Sequence, residues 1–362
     1  MRTRKRLLYV ASTASHLRRF HLPYIRALSE VAEVRLMASG DPALTDYDLP
    51  FQKRMISLSN LLCVWRIRKI LAREQFDAVL LNTSLAAFLV RAAMIGMRRR
   101  PYVHHIVHGY LFDEPLSCLR ERILYRCERF LRSKTDAISV MNRADEAMAR
   151  RHGLCRGEIS FLRGMGVTPP ASLPVPDPQL RARYARDGEM LCTFVGELSP
   201  RKNQRFLIEA LGRLRARGLP VKLLLVGEGD ERAALERLIF RLRLEADVFL
   251  IGNRDNVLAY LAITDVYVSA SRREGLPFHI LEAMACGLPI LASHVKGQSD
   301  LLTDRPASLY PSGDSDAFCE ALTHRLSDGG LGIGAVVYPN LADYRLEAVW
   351  KKNLEIMKKG WC

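Results

Sequence analysis

The sequence contains no C-x-x-C pair among its eight cysteines and no apolar run of the roughly 18 residues that a membrane-spanning helix needs. Scattered cysteines argue against a zinc module and a disulfide scaffold, and they fit a reducing compartment such as the cytosol. The longest apolar candidate, residues 78–90, is interrupted by Asn82, Thr83 and Ser84. The basic start of the chain precedes an apolar stretch, residues 7–11, that is too short for a signal peptide. We therefore interpret the basic start as a charged segment that precedes a first buried strand.

The length indicates two domains, because the chain has 362 residues and single hydrophobic cores stop growing near roughly 250–300 residues. The net charge of +15 is unevenly distributed. Residues 1–170 contain 29 Lys and Arg against 15 Asp and Glu, whereas residues 171–362 contain 25 against 24. A basic first half favours an anionic partner: nucleic acid, an acidic membrane surface or a phosphorylated ligand. Arginine-rich, solvated helix faces would give the same excess without any partner.

Short apolar runs, such as residues 102–107 and 266–269, alternate with helical patterns in both halves, which predicts α/β domains with parallel sheets. In the first half the predicted helices span residues 17–30, 61–74, 86–97 and 116–131. Five prolines within residues 169–178 interrupt this pattern, since proline cannot continue a helix or a central strand. We predict a first Rossmann-like domain over residues 1–168, a proline-rich linker over 169–189, a second Rossmann-like domain over 190–340 and a C-terminal helix over 341–362 that packs back toward the first domain. The two parallel sheets are expected to face each other across a cleft, with ligands at the carboxyl ends of the strands.

The strongest motif is REGLPFHILEAMACGLP at residues 273–289, directly after a predicted buried strand. Pro277 suits a first helical turn and Gly287 suits a helix end. Glu274 and Gly275 then lie in a loop before a helix N-terminus, where free N–H groups and the helix dipole suit sugar hydroxyls or phosphate oxygens. A helix with an acidic start and a solvated glutamate is the alternative, but the opening and closing segments together disfavour it.

This motif, with residues 20–24, 108–112, 195–204 and 296–301, resembles the family-four glycosyltransferases, in particular those of bacterial exopolysaccharide and capsule synthesis. The resemblance covers essentially the whole chain and implies the GT-B fold. It also implies retaining transfer of a hexose or N-acetylhexosamine from a nucleotide sugar, with UDP favoured over GDP. The acceptor would be a glycan or a polyprenyl-diphosphate-linked sugar, and the protein would be cytoplasmic, on the inner face of the bacterial membrane.

The resemblance assigns roles to individual residues. Glu274 would lie beside the donor sugar and Glu282 would hold the ribose. Lys202 would grip the donor diphosphate, whereas the usual arginine position holds Glu197, which would repel it. We expect Arg201 to supply the second positive charge, because its forked guanidinium suits phosphate. We predict that the following residues also bind the donor: Gly196, Gly227, Asn253, Gly275, Leu276 and Pro277.

In the first domain we predict an acceptor side at two strand ends, formed by Ser15, His16, His108 and Gly109. We count His108 with Glu274 and Lys202 among the catalytic residues. His104 and His105 lie on opposite faces of one predicted strand, which disfavours a shared metal with His108. His21 is expected to be packed in the core.

We identify no D-x-D-type metal motif and predict no metal site and no cofactor beyond the nucleotide-sugar substrate. Basic residues at 66–69 and 98–100, interleaved with apolar ones, are expected to rest on anionic lipid headgroups. Three alternatives stay open: a nucleotide-sugar epimerase on the same fold, a basic nucleic-acid- or membrane-binding protein, and a transferase scaffold without activity. Against nucleic acid, the sequence has no helix-turn-helix or basic-aromatic RNA signature.

Overall fold

A computed structural model describes residues 4–52, 57–328 and 332–362, which form two compact units. Unit 1 comprises Met1–Gly166 and Leu346–Cys362, and unit 2 comprises Val167–Arg345. Each unit has one parallel sheet with helices between its strands, so the α/β prediction with two Rossmann-like domains is confirmed. All eight cysteines are unpaired.

Unit 1 contains a seven-stranded parallel sheet. Its strands are β1 (Lys5–Thr13), β2 (Ala32–Ser39), β3 (Tyr47–Asp48), β4 (Ala78–Asn82), β5 (Tyr102–Val107), β6 (Ala137–Val140) and β7 (Ile159–Phe161), arranged in the order β3-β2-β1-β4-β5-β6-β7. Its helices are α1 (Ala14–Phe20), α2 (Leu22–Val31), α3 (Leu58–Glu74), α4 (Ser84–Ala93), α5 (Leu119–Leu131), α6 (Arg143–His152) and the C-terminal helix described below. A short 3-10 turn, Arg132–Lys134, follows α5.

Continuous apolar sequence explains the centre of this sheet. Strand β4 is buried along its whole length, as expected for a parallel strand covered by helices on both faces. Helix α4 is also largely buried, because α3 and α5 pack against its two sides. Helices α3 and α5 therefore lie on the same side of the sheet and keep their outer faces exposed.

Unit 2 contains a six-stranded parallel sheet. The strands are β8 (Met190–Val195), β9 (Val221–Val226), β10 (Val248–Gly252), β11 (Val266–Ser269), β12 (Ile290–Ser293) and β13 (Leu309–Tyr310), in the order β10-β9-β8-β11-β12-β13. The helices are α7 (Pro178–Ala182), α8 (Gln204–Ala216), α9 (Arg232–Leu242), α10 (Val257–Ala262), α11 (Phe278–Ala285), α12 (Gln298–Leu301) and α13 (Ser315–Asp328). Two 3-10 helices, Pro306–Ser308 and Pro339–Tyr344, complete the unit.

The last helix, α14 (Leu346–Lys358), belongs to unit 1, as the sequence predicts. Buried Asn353 donates from Nδ2 to the hydroxyl of Tyr24 at 2.9 Å and to the carbonyl oxygen of Gly164 at 2.8 Å. The Tyr24 hydroxyl donates to the carbonyl oxygen of Met165 at 3.0 Å. The ring of Trp350 packs on Tyr24 with 4.7 Å between the ring centroids. These polar contacts attach the end of the chain to the first unit.

Three details differ from the sequence predictions. The helix expected over residues 17–30 is two helices, interrupted at His21, because Pro23 in the first turn of α2 lacks an N–H group. A five-residue helix, α7, lies within the proline-rich linker and begins at Pro178 after an Asp177 cap. Pro277 is the residue before helix α11 rather than a residue of its first turn.

Candidate active site

The carboxyl ends of β8, β9 and β10 in unit 2 are joined by glycine backbone contacts. The N–H of Gly196 donates to Val226 at 2.9 Å, and the N–H of Gly227 donates to Gly252 at 2.9 Å. A Cβ on Gly227, whose φ is +140°, would lie 2.1 Å from the carbonyl oxygen of Gly196. Only glycine allows this close approach between the loops that follow β8 and β9.

Glu274 is the centre of a charged cluster beside these loops. Its Oε1 lies 2.6 Å from Nζ of Lys202, and its Oε2 lies 2.9 Å from Nη1 of Arg201. Glu274 and Lys202 are buried, whereas the Arg201 side chain is 43% exposed. Nε2 of His279 lies 3.5 Å from Oε1 of Glu274, at the limit of a hydrogen bond. Two cations therefore meet one carboxylate in a largely buried site.

Burial and charge set the protonation of this cluster. Burial raises the pKa of the Glu274 carboxyl group, but the neighbouring cations and His279 outweigh burial and hold the pKa well below its usual value. Burial lowers the pKa of Lys202, and the carboxylate of Glu274 opposes part of that shift. Burial also lowers the pKa of His279 to about 4, so its ring is neutral at pH 7. Glu274 is the ionised partner of the two cations.

A second layer of side chains orients this cluster. The hydroxyl of Tyr267, on β11, lies 3.0 Å from Nδ1 of His279 and accepts a 3.0 Å hydrogen bond from the N–H of Val195. Tyr267 therefore links the end of β8 to His279. His279 lies within the 273–289 motif, but no role was predicted for it. The only feature of the sequence that could have indicated a role for His279 was its position five residues after Glu274 in an apolar helix.

The loop that carries Glu274 rests on buried polar groups. Ser293 donates to the carbonyl oxygen of Ser271 at 2.6 Å, and Nε2 of Gln298 donates to Oγ of Ser269 at 2.7 Å. A Cβ on Gly297, whose φ is +79°, would lie 2.5 Å from the carbonyl oxygen of Gly275. The segment at 296–301 thus supports the loop before α11.

The remaining residues predicted to bind the donor occupy the same end of the sheet. Gly275, Leu276 and Pro277 form the loop before α11, and Glu282 lies half-buried in that helix. Asn253 is exposed directly after β10. Glu197 is exposed, and its carbonyl oxygen accepts a 2.8 Å hydrogen bond from Gln204.

In unit 1 the predicted acceptor residues also follow strand ends. Ser15 is exposed at the start of α1, and Gly109 follows His108 after β5. His16, His21 and His108 bring three rings together, with centroid separations of 4.8 to 5.1 Å. Burial lowers the pKa of His16 to about 4 and that of His108 well below its usual value. His21 is buried as predicted, but its place in this cluster was not foreseen.

Strand β5 itself carries two histidines, His104 and His105. Nε2 of His104 lies 2.8 Å from Oγ of Ser139 on β6, and both His104 and His105 are buried. Shared metal binding by the consecutive His104 and His105 was disfavoured from the alternation of strand side chains.

Two tripeptides with D-x-D spacing, at residues 46–48 and 314–316, were overlooked at the level of sequence. Asp46 pairs with Arg35 at 2.8 Å, and Asp48 accepts from the N–H of Gly40 at 2.9 Å. Asp314 caps the start of α13 through the N–H of Ala317, and Asp316 pairs with Arg213. Their carboxylates are engaged in structural contacts.

Comparison with known proteins identifies both units. Residues 9–163 match the family model "Glycosyl transferase 4-like domain", and residues 189–328 match "Glycosyl transferases group 1". The putative glycosyltransferase EpsD of Bacillus subtilis (strain 168) is 28% identical over 338 residues, covering 89% of this chain and 88% of that protein. The UDP-Gal:alpha-D-GlcNAc-diphosphoundecaprenol alpha-1,3-galactosyltransferase of Escherichia coli is 27% identical over 327 residues, covering 84% and 83%.

The fold agrees with these sequence matches. Anabaena Alr3699/HepE, crystallised with UDP and glucose, superposes with a TM-score of 0.74 and 19% identity, covering 98% of this chain and 99% of that one. The protein is a glycosyltransferase of the GT-B fold. It belongs to the family-four glycosyltransferases and resembles those of bacterial exopolysaccharide synthesis.

Proposed function

We propose that this enzyme moves a hexose or N-acetylhexosamine from a UDP-sugar to a glycan or polyprenyl-diphosphate-linked acceptor, with retention of the anomeric configuration. The observation that carries the proposal is the pairing of Lys202 and Arg201 with buried Glu274 at glycine-lined strand ends. The names of two relatives support the nucleotide and the acceptor, because one structure was solved with UDP and one relative acts on a diphosphoundecaprenol-linked sugar.

Charge balance favours a diphosphate at this place. Arg201 and Lys202 carry two positive charges and Glu274 one negative charge, so these three side chains together carry one positive charge. Glu197 also acts on Lys202, but more weakly than Glu274 does. The Lys202 ammonium is largely desolvated, which strengthens its attraction to an anion that enters the site. Glu274 holds the two cations in place and would face the sugar attached to the diphosphate.

In the proposed reaction, the bond between the sugar anomeric carbon and the diphosphate oxygen breaks, and its electron pair goes to that oxygen. The acceptor oxygen forms the new bond on the same face of the sugar, and its proton passes to the departing diphosphate. Lys202 and Arg201 would stabilise the negative charge that develops on the leaving oxygen. Because these two side chains supply positive charge, we propose that transfer needs no metal ion. Sugar transfer should then continue unchanged after exhaustive chelation of metal ions. Loss of transfer after chelation would refute the proposed metal independence.

Calorimetric titration with UDP, GDP and ADP tests the donor. We expect UDP to bind most tightly, and Glu282→Ala to weaken it by about 1.5–3 kcal/mol, or roughly 10- to 150-fold, as for a lost hydrogen bond to a charged group. Glu209→Ala removes an exposed carboxylate from α8 of the same unit and should bind UDP like the wild type. Binding of none of the three nucleotides would contradict the proposal.

We further propose that unit 1 binds an anionic membrane surface through α3 and α5. Within the described parts of the chain, no helix is both long and apolar enough to cross a membrane. Helix α3 nevertheless exposes a row of apolar side chains at helical spacing: Leu58, Leu61, Leu62 and Trp65. Nζ of Lys69 lies 3.5 Å from the ring centroid of Trp65, and Arg66 is exposed beside them.

Helix α5 adds a similar surface, with exposed Leu119, Ile123 and Phe130. Apolar and basic residues on one side of a domain suit an interfacial position among lipid headgroups.

Two of the basic residues predicted to contact lipid have other roles. Arg100 pairs with Asp136, and Arg68 donates to the carbonyl oxygens of Ala93 and Ile95.

Flotation with vesicles that contain anionic lipid tests this surface. Replacing Arg66 and Lys69 by glutamine should weaken binding about 30-fold, because each basic residue near such a surface contributes about 1 kcal/mol. Replacing Leu61 and Trp65 by serine should weaken binding at high salt, where the apolar contribution remains. The matched control replaces Arg237, Arg241 and exposed Phe240 on α9 of unit 2 and should float like the wild type. Equal loss in the control, or no flotation of the wild type, would refute the proposal.

A further inference from the structure

Three histidines from separate parts of unit 1 converge at the carboxyl edge of its sheet. His16 lies in α1 and His21 in the break between α1 and α2, while His108 directly follows β5. One ring nitrogen of each lies within 4.8 Å of those of the other two. The sequence separates His108 from the other two by more than 80 residues, and the strand ends bring them together.

The hydrogen bonds of these three rings leave one buried ring nitrogen without a partner. Nδ1 of His21 lies 2.7 Å from the hydroxyl of buried Tyr9, and Nε2 of His21 lies 3.2 Å from Nε2 of His16. Buried Nε2 of His108 has no hydrogen-bond partner. A buried polar nitrogen without a partner is costly, and such groups in a native fold call for a ligand or a role. A ligand that accepts electron pairs from several nitrogens at once would satisfy all three rings.

We propose that His16, His21 and His108 bind a late divalent transition metal ion, with zinc as the preferred ion. Neutral imidazole is a common ligand for zinc, copper and nickel. Three histidines leave a fourth position for water or a hydroxyl group, as in open zinc sites. This inference departs from the expectation of no metal site, and it assigns to His16 and His108 a role other than the acceptor and catalytic roles predicted for them. It rests on unit 1 alone, independently of the donor chemistry proposed for unit 2.

The three histidines fit tetrahedral zinc coordination after small movements of their rings. Zinc–nitrogen bonds of about 2.0–2.1 Å in a tetrahedral arrangement place ligand nitrogens roughly 3.4 Å apart. The His16–His21 nitrogen distance of 3.2 Å already agrees, so the remaining adjustment falls on the other nitrogen pairs. The ring of His16 is partly exposed and belongs to a seven-residue helix, which leaves it room to rotate. Tyr9 would orient His21 by accepting a hydrogen bond from Nδ1, the support that metal-binding histidines usually have.

Zinc titration of the full chain, prepared without a polyhistidine tag, tests the site. We expect calorimetry to give one saturable site per chain, and cobalt substitution to give the visible absorption of a tetrahedral ion. His16→Ala and His108→Ala should each weaken zinc binding at least about tenfold, since loss of supporting groups alone costs about 10–100-fold. Zinc should also raise the melting temperature of the wild type but not that of His16→Ala.

His324→Ala is the control, because His324 is exposed on α13 of unit 2 and should leave zinc binding unchanged. Circular dichroism and melting without metal establish that each variant is folded, and His16→Ala changes a residue at the edge of the core. Absence of saturable zinc binding by the wild type would overturn the proposal. Unchanged binding in both cluster variants, or an equal loss in His324→Ala, would also overturn it. Transfer activity after chelation is a separate measurement, so this inference and the proposed function can fail independently.

Discussion

Replacing Lys202 by methionine separates the contribution of the Lys202–Glu274 pair to stability from its proposed role in donor binding. Methionine has a similar length but no charge, so Glu274 loses the ammonium that lies 2.6 Å away. Removing one partner of a buried ion pair typically costs about 3–5 kcal/mol. Arg201 still contacts Glu274 at 2.9 Å, so we expect a loss near 2–3 kcal/mol in the free energy of unfolding, at or below the lower end of that range.

Glu274→Gln leaves buried Lys202 opposite a neutral amide with no second carboxylate in the cluster, so we expect it to cost about 3–5 kcal/mol. The double variant has neither charge, so its loss should be smaller than the sum of the single losses by about 1–2 kcal/mol. Urea denaturation of the four proteins gives this coupling energy. Additive losses would show that the pair does not contribute to stability as a unit.

Nucleotide binding should separate the same two variants in opposite directions. Lys202→Met removes the proposed charged hydrogen bond to the diphosphate, worth about 1.5–3 kcal/mol, so UDP affinity should fall roughly 10- to 150-fold. Glu274→Gln removes a negative charge, so UDP should bind as well as or better than to the wild type while sugar transfer falls. The reasoning is refuted if Lys202→Met binds UDP normally, or if both variants lose UDP equally.

Three further predictions concern the fold. Gly227→Ala should destabilise the protein by at least about 2 kcal/mol more than Gly218→Ala in urea denaturation, because a Cβ at Gly227 meets a carbonyl oxygen at 2.1 Å, whereas one at Gly218, whose φ of +78° is also positive, meets open space. Asn353→Ala should cost about 2 kcal/mol by the same measurement, through two lost hydrogen bonds of the C-terminal helix, and Lys352→Ala on the exposed face should cost almost nothing. Burial lowers the pKa of His104 to about 4, so the unfolded chain binds more protons between about pH 4 and 6.5, and stability falls as the pH is lowered through that range. His104→Asn should remove about 2 kcal/mol of the loss between pH 7 and pH 5 in urea denaturation curves; an unchanged pH dependence would contradict the assignment.

The sequence predicted the strands better than the helices. The bounds predicted for β5 and β11 agree with the structure, because their apolar runs are short and end at polar or glycine-rich turns. Helix α6 was missed, although Asn142 caps it and Gly153 ends it, because its ten residues contain few apolar side chains to show helical periodicity. The two-helix break at His21 was also missed, since the apolar spacing continues across it.

The candidate site was predictable where its residues are neighbours in sequence and not where the fold joins distant ones. The 273–289 motif placed Glu274 and Glu282 correctly on the loop and helix after β11. The contact between Tyr267 and His279 depends on the distance between a strand and a helix, which residue spacing does not give. The histidine cluster of unit 1 likewise depends on two strand ends that are separated in the sheet by β4.

The acid at position 197 is compatible with the proposed donor site. The loop after β8 is fixed by backbone contacts: the N–H of Gly196 donates to Val226, and the N–H of Leu198 donates to Glu228 at 2.9 Å. Its path therefore does not depend on which side chain stands at position 197. Arg201 lies four residues later and reaches Glu274 at 2.9 Å, so a guanidinium group stands beside the Lys202 ammonium group without an arginine directly after the glycine. Under the proposed function, this chain keeps two cations for the diphosphate and carries one of them on a different residue.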